Sequence, residues 1–330
     1  MKKRTMKKKV SILALVSVAS LAVSVLPARA QEQQKPTIKI SGLVNGRYSY
    51  DDADGSTHGF DIRRARLAAD GALSSKIDYK LQAEYETSVK VIDAFFRWKI
   101  LPALNVQVGQ YKVYYSQETL YGPATWLTIE NPAAVAKLNG YSDLSGMKAN
   151  GRDVGITLYG DFFEKKLLGY RIGVFNGNGI NVKDNNNKKD VAAMIWIRPI
   201  EHLSFTAGQY LGHYGAKGDE KTRNRTSAGV EWKDDKLTVR SEYLFGKTDH
   251  QKSDGFYASA GYFVVKKLQP VVSVDYFKAD RDLDERQWNY QVGINYQPLK
   301  NLRLQAAYTF IDNKETDDTN QVEAQFVLQF

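Results

Sequence analysis

The sequence predicts an all-β fold: a transmembrane, antiparallel, up-and-down β-barrel of about 16 strands with a long third loop folded inward. Three observations predict it. Apolar and polar residues alternate with a period of two in segments of about ten residues, the length of a tilted membrane strand. Tight turns and longer polar loops alternate along the chain. After residue 26 no apolar run is long enough for a membrane-spanning helix, which excludes a helical membrane bundle.

Residues 1–30 have the features of a cleaved secretory signal peptide, so residues 31–330 are expected to form the barrel. A basic segment precedes an apolar run at 10–26, and Ala-Arg-Ala at 28–30 provides a small-x-small cleavage site. Cleavage removes seven of the 46 basic residues and leaves 39, against 37 acidic residues. This balance gives no support for nucleic-acid binding. We expect export through the periplasm to the outer membrane of a Gram-negative bacterium.

The segment 287–297 illustrates the alternation. Its apolar members, such as Tyr290 and Val292, would face hydrocarbon, while Asn289 and Gln291 would face water. Sixteen such segments are predicted, an even number as bacterial barrels require. They are 37–50, 59–71, 78–87, 90–100, 104–115, 152–162, 167–176, 190–198, 203–213, 222–233, 237–247, 255–265, 269–279, 286–297, 302–312 and 320–330.

The predicted connections differ in length between the two ends of the barrel. Those at 101–103 and 298–301 are tight, whereas the one at 177–189 is long and polar, and this asymmetry is typical of outer-membrane barrels. The connection at 116–151 is the longest and lacks alternation. A stretch of this kind is usually functional or disordered. We expect it to fold into the lumen as a constriction; an exposed surface loop is the alternative.

Basic residues on the polar phase and at strand ends are the candidate pore-lining and anion-binding residues, because pores select by width and by rings of charge. Unpaired, they would attract anions through a long-range field. Paired with acidic neighbours such as Glu84 and Asp93, they would leave little net field, and both interpretations stay open. The pore-lining candidates are Arg64, Arg66, Lys80, Arg97, Lys99, Lys112, Arg171, Arg198 and Arg240; the constriction-loop candidates are Tyr121, Trp126, Glu130, Lys137 and Lys148.

Two positions break the alternation. Phe60 and Ile62 share the parity of Arg64, so either a β-bulge intervenes or these apolar residues face the lumen. Lys112 shares the parity of Val108, so a lumen role for it also requires an irregular strand.

Segments in the N-terminal third resemble the phosphate-selective porin O and P family, and the remainder resembles it in layout. The matching segments are 60–67 (FDIRRARL) followed by Gly71, 78–85 (DYKLQAEY), and 93–96 (DAFF) leading to 108–112 (VGQYK). The resemblance implies a trimeric 16-stranded anion channel whose third loop folds inward. Family members specialised for phosphate have lysine-rich constriction segments, whereas this region offers only Lys112, Lys137 and Lys148, opposed by acidic residues.

Together these observations predict an outer-membrane porin: a water-filled passive diffusion channel for small solutes, weakly selective for anions, with phosphate as a candidate. The alternative is a substrate-specific uptake or surface-binding barrel with little general pore activity. Expected partners are outer-membrane lipid, lipopolysaccharide, small anions or other small solutes, and two further copies of the chain in a homotrimer. No enzyme activity, cofactor or metal is expected, because the chain has no Cys and its four His lack ligand spacing.

Overall fold

The computed structural model describes residues 35–53, 55–140, 142–147 and 149–330. The predicted signal peptide, 1–30, lies outside them. Within the described residues no helix is both long and apolar enough to cross a membrane. The elements are β1 (Lys39–Asp51), β2 (Thr57–Ala72), β3 (Ile77–Glu84), β4 (Lys90–Leu101), β5 (Leu104–Lys112), α1 (Ala133–Asn139), β6 (Arg152–Phe162), β7 (Leu168–Phe175), β8 (Asp190–Ile200), β9 (Leu203–Tyr214), β10 (Lys221–Lys233), β11 (Leu237–Thr248), β12 (Gln251–Tyr262), β13 (Leu268–Lys278), β14 (Gln287–Leu299), β15 (Leu302–Asn313) and β16 (Thr319–Gln329).

The sixteen strands of the described chain form one closed antiparallel barrel in which each strand pairs with its neighbours in sequence. Closure comes from pairing of β1 with β16, where Asn45 lies opposite Val327. At the end of this seam Gly42 and Phe330 exchange backbone hydrogen bonds of 2.8 and 3.2 Å. The ring of Phe330 occupies the space that a side chain at Gly42 would need. The predicted fold class is therefore confirmed.

Side chains on the strands alternate between the outer surface and the lumen. On β14, Val292 is 56% exposed on the outer surface, whereas Asn295 is buried and donates to Gln269 inside the barrel. This is the expected arrangement when one face meets hydrocarbon and the other meets water. The connections at one end are all short, such as 102–103 and 300–301, which marks it as the periplasmic end.

The predicted strand boundaries are correct to within a few residues except at β12. This strand begins at Gln251 rather than at residue 255, so the predicted loop between β11 and β12 is wrong. The two strands are joined by the tight turn Asp249-His250, in which Asp249 has a φ of 54°. Asp tolerates this left-handed conformation better than most residues, because its short side chain can hydrogen-bond locally.

A β-bulge on β2 explains the broken alternation there. Asn45 lies opposite Arg64, but the next residue of β1, Gly46, lies opposite Ile62, so Arg63 is the extra residue. The bulge reverses the phase of the strand. Phe60 is therefore 89% exposed on the outer surface, whereas Arg64 is 5% exposed in the lumen. Of the two alternatives, the bulge is confirmed.

Deleting Arg63 should permit barrel assembly, whereas deleting both Arg63 and Arg64 should prevent it. The single deletion joins Ile62 to Arg64 and removes the bulge, so Phe60 and Ile62 stay on the outer surface. The double deletion would turn Phe60 and Ile62 toward the lumen and Asp61 toward lipid, because a one-residue slip exchanges the two faces of a strand. Far-UV circular dichroism and gel mobility of the unheated protein after refolding into vesicles measure assembly. Normal refolding of the double-deletion variant would contradict the role given to the bulge.

Candidate functional site: the third loop and the lumen wall

The third loop, residues 113–151, leaves the wall at the end of β5 and crosses the lumen. It first passes over β9, where Gly208 provides the space: a side chain at this position would place its Cβ 1.8 Å from the backbone carbonyl oxygen of Tyr115. Tyr115 is fully buried, and Ser227 on β10 donates a hydrogen bond to its carbonyl. The loop therefore folds inward, as predicted, and the exposed-loop alternative is wrong.

The start of the loop is held by a carboxylate of β11. Glu242 accepts hydrogen bonds from the backbone N–H of Gln117 at 2.7 Å and of Glu118 at 3.3 Å, and from the Ser116 hydroxyl at 3.0 Å. These three donors converge on one buried side chain. Because a buried carboxylate is costly without such donors, the loop and the strand stabilise each other.

Arg240, a predicted pore-lining residue, instead holds the loop. Its Nε donates to Glu231 at 2.9 Å, and its Nη1 lies 3.6 Å from Glu118. The guanidinium stacks 3.5 Å from the ring centroid of Tyr121, whose hydroxyl donates to Glu231 at 2.6 Å. Burial raises the pKa of the Glu118 carboxyl despite the opposing effect of Arg240. Arg240 is thus buried in a network of loop contacts.

The middle of the loop contacts the opposite wall. Arg303 on β15 donates to the carbonyl of Ala124 at 3.0 Å, and Asn295 on β14 donates to the carbonyl of Leu127 at 3.1 Å. Between them Trp126, a predicted constriction residue, is buried with the guanidinium of Arg64 4.9 Å from its ring centroid. Arg64 is therefore on the lumen wall, as its polar phase indicates, and is covered by the loop.

Glu130 pins the far tip of the loop to β1 and β2. It forms ion pairs with Arg47, at 2.8 Å, and with the bulge residue Arg63. Arg47 also pairs with Asp61 at 2.7 Å and Glu323 at 3.0 Å. The predicted constriction residue Glu130 thus acts as an anchor within a network of five charges.

The returning half of the loop contains α1 and packs on β11 to β13. The backbone N–H of Ala133 donates to Asp275 at 3.1 Å, and Leu138 packs in a buried apolar cluster with Leu244 and Phe277. Lys137 projects from α1 beside a cavity of about 270 Å³. Lys148, the remaining predicted constriction residue, lies outside the described residues.

Asp143 fixes the end of the loop between two arginines of β10. Its carboxylate lies 2.7 Å from Nη2 of Arg223 and 3.0 Å from Nη2 of Arg225. All three side chains are buried. Burial raises the pKa of the Asp143 carboxyl, but the two guanidinium groups outweigh burial and hold the pKa below its ordinary value. The ion pairs therefore persist at neutral and mildly acidic pH.

A basic cavity of about 470 Å³ lies between the first half of the loop and the wall formed by β2 to β6. Lys112 lines it and donates to the carbonyls of Thr119 at 2.7 Å and Tyr121 at 2.5 Å. Strand parity does not apply to Lys112, because β5 ends there and the chain turns into the lumen. The charged residues of the cavity are Arg66, Asp70, Lys80, Asp93, Arg97, Lys112 and Arg152.

Most of the wall cations have carboxylate partners on neighbouring strands. The predicted pore-lining residue Arg66 makes two 3.0 Å hydrogen bonds to Glu84. Asp78 accepts from Arg97 at 2.6 Å and lies 2.9 Å from Lys99. The remaining pairs are Lys80–Asp70 at 3.8 Å and Arg152–Asp93 at 2.9 Å. The paired interpretation thus describes most of this wall, and Lys112 is the cavity cation that contacts carbonyls instead.

Arg171 and Arg198 lie on the wall of β7 and β8, outside this set of pairs. Arg198 donates to the carbonyl of Lys166 at 3.1 Å and lies 3.9 Å from Asp161, near the periplasmic end. The Arg171 guanidinium lies over the rings of Tyr114, Tyr159 and Trp196 and forms no ion pair with any described residue. No cluster of potential metal ligands occurs among the described residues.

Sequence reasoning missed several residues that hold the loop. Arg223 shares the lumen phase of Arg225 and was recognisable by parity alone. Arg63 was not recognisable in this way, because its parity predicts the outer surface, whereas the bulge places it in the lumen. Arg47 had the right phase, but nothing local marks it as the partner of a loop residue 83 positions away.

Asp143→Asn should detach the end of the loop and lower the free energy of unfolding by about 3 kcal/mol, since breaking a buried ion pair leaves an uncompensated charge. Because the folded-state pKa of Asp143 is depressed, its stabilisation is present above the ordinary carboxyl pKa and is lost as pH falls through the depressed value. Urea unfolding of the refolded barrel measures both effects. Equal acid sensitivity in the native protein and in the Asp143→Asn variant would contradict this assignment.

The comparisons with known proteins agree with the fold. The family model for phosphate-selective porin O and P matches residues 43–246 and 215–330. No curated protein sequence shows significant similarity to this chain. The solved structures that resemble it include the anion-selective porin from Comamonas acidovorans, at 14% identity and a TM-score of 0.72, covering 90% of this chain and 100% of the other.

Two further structures show the same barrel at similarly low identity. A trimer form of OmpT, an outer membrane protein of Vibrio cholerae, has 12% identity and a TM-score of 0.66, covering 90% of this chain and all of its own. Salmonella typhi OmpF, in complex with daunomycin, has 15% identity and a TM-score of 0.66, covering 89% of this chain and 97% of its own. From the family match across the barrel, this chain belongs to the phosphate-selective porin O and P family and is a porin of the Gram-negative outer membrane.

Proposed function

We propose that this porin is a water-filled passive diffusion channel for small solutes with a weak preference for anions, and that it acts as a channel rather than as an enzyme. The observation that carries the proposal is the charge of the basic cavity: five basic and two acidic side chains line it. A cleft lined mainly by one sign of charge raises the local concentration of the opposite ion. The Comamonas porin of the same fold is described as anion-selective.

The preference is expected to be weak because carboxylates offset much of this charge. Glu84 and Asp78, which do not line the cavity, neutralise Arg66 and Arg97. The remaining excess comes from Lys112, which has carbonyl oxygens rather than a carboxylate as acceptors. The field of exposed charges also decays within about 8 Å at physiological ionic strength.

Carboxylates elsewhere in the lumen do not cancel this excess at the cavity. Glu242, Asp275 and Asp153 form no ion pair within the described residues, but each accepts hydrogen bonds from backbone N–H groups. None of the three lines the cavity. The negative charge of these carboxylates is therefore stabilised by backbone N–H groups and lies away from the cavity.

The reversal potential of the refolded protein in a planar bilayer under a KCl gradient tests the proposal. We expect a displacement toward the chloride equilibrium potential, and we expect the double variant Lys80→Gln/Arg97→Gln to shift it toward potassium. Lys266→Gln, which removes one charge from an exposed periplasmic turn, should leave it unchanged. A native potential on the potassium side would refute the anion preference.

We also propose that three copies of the barrel associate in the outer membrane, in contact with lipid and lipopolysaccharide. A groove on the outer surface between β1–β2 and β15–β16, lined by Tyr48, Phe60, Ile62 and Phe326 among others, supports this assembly by offering a concave surface to a neighbouring copy. Chemical cross-linking of the protein in native outer membranes should give a ladder ending at the trimer. A ladder that ends at the monomer would refute the assembly.

A further inference from the structure

Arg171 differs from the other lumen arginines in its surroundings. Its guanidinium carbon lies 4.0 Å from the ring centroid of Tyr114, 5.3 Å from that of Tyr159 and 5.7 Å from that of Trp196. Within the described part of the chain it forms neither an ion pair nor a hydrogen bond, and its Nε is buried without an acceptor. These four residues are called the Arg171 cage.

Other basic residues on the lumen wall have a carboxylate or a carbonyl as acceptor, as Lys112 and Arg303 do. Arg66, Arg225 and Arg240 are all buried against acidic side chains. A guanidinium that has lost water and gained only ring faces keeps its full charge, and it still lacks hydrogen-bond acceptors. Of its nitrogens, only Nε is buried and unpartnered, so the two terminal nitrogens remain accessible from the lumen. The described residues therefore supply this guanidinium with no anionic partner.

The cage is continuous with a row of alternating guanidinium groups and rings. Arg171 lies directly opposite Tyr159 in the pairing of β6 with β7. On one side, Arg97 lies 5.5 Å from the Phe95 ring centroid, and both residues line the basic cavity together with Tyr114. On the other side, Arg198 lies 5.5 Å from the Trp196 ring centroid. Both flanking arginines are more than two-fifths exposed, so an anion could pass from one to the next.

We propose that the Arg171 cage is a binding site for aromatic carboxylates as they pass through the channel. A carboxylate matches the planar, two-pronged edge of a guanidinium. The partly buried rings of Tyr114, Tyr159 and Trp196 offer flat apolar surface to the body of the solute. A phosphate dianion would need more than one cation beside it, whereas the cage supplies one cationic side chain. The inference rests on the proposed channel function, because the site faces the lumen.

Block of the KCl current by benzoate in planar bilayers tests this site. Acetate has the charge without the ring, and benzyl alcohol has the ring without the charge. Benzoate should bind about tenfold more tightly than either, the factor that corresponds to about 1.4 kcal/mol. Arg171→Gln and Trp196→Leu should each remove most of this difference. Arg171→Lys should remove part of it, since it keeps the charge but not the planar edge.

The control is Arg281→Gln, which removes another arginine near an aromatic ring, Phe245, but in an extracellular loop. It should leave benzoate block unchanged. Equal block by benzoate and acetate in the native channel, or full benzoate block in Arg171→Gln, would overturn the site. Displacement of benzoate by inorganic phosphate at equal concentration would overturn the aromatic class. If Arg171→Gln does not assemble, Trp196→Leu and Tyr159→Leu decide the question by the same criterion.

The reversal potential of the same channels separates this inference from the proposed anion preference. A potential displaced toward chloride without benzoate block refutes the Arg171 cage alone. Benzoate block with a potential near zero refutes the general anion preference and leaves the cage as the selective element.

Discussion

The structure depends on one constraint: a backbone in hydrocarbon must satisfy every N–H and C=O group within the protein, because lipid offers no partners. The chain meets it by pairing β16 with β1, so that the described strands leave no unpaired sheet edge. Closure fixes the register along the seam, and register fixes which face of each strand meets lipid. The arginines reach the lumen only because this register holds.

Within the closed wall, ion pairs determine where the third loop crosses the lumen. Acidic residues of the loop and basic residues of the wall meet at three places: Glu118 at β11, Glu130 at β1 and β2, and Asp143 at β10. These contacts use arginines that would otherwise project into the solute path. The cations left beside the path have carbonyls, rings or carboxylates of the wall itself as neighbours. The charge that acts on a passing ion is thus the charge that is not used to anchor the loop. The net charge of the chain is therefore a poor guide to ion selectivity.

The fold was predictable from the sequence because its signals are local. The period of two can be recognised within ten residues, and the alternation of turn lengths within a few strands. Both patterns depend on the membrane rather than on distant contacts. The site was less predictable, since its partners lie far apart in sequence. The parity of Arg240 indicated the lumen correctly, but parity cannot show that Glu118 and Glu231 are close to it. The bulge at Arg63 was indicated locally, because the apolar residues Phe60 and Ile62 are out of phase. Nothing in the sequence indicated that Arg63 would pair with Glu130.

The course of the third loop also has a mechanical consequence. A sixteen-stranded cylinder around water has no packed interior to keep its cross-section round when lipids press on it from the side. The loop is fastened to β9–β11 at Tyr115 and Glu118, to β14–β15 at Leu127 and Ala124, and to β1–β2 at Glu130. It therefore ties together walls that share no backbone hydrogen bonds. The loop that narrows the passage therefore also keeps the cross-section of the barrel from being flattened.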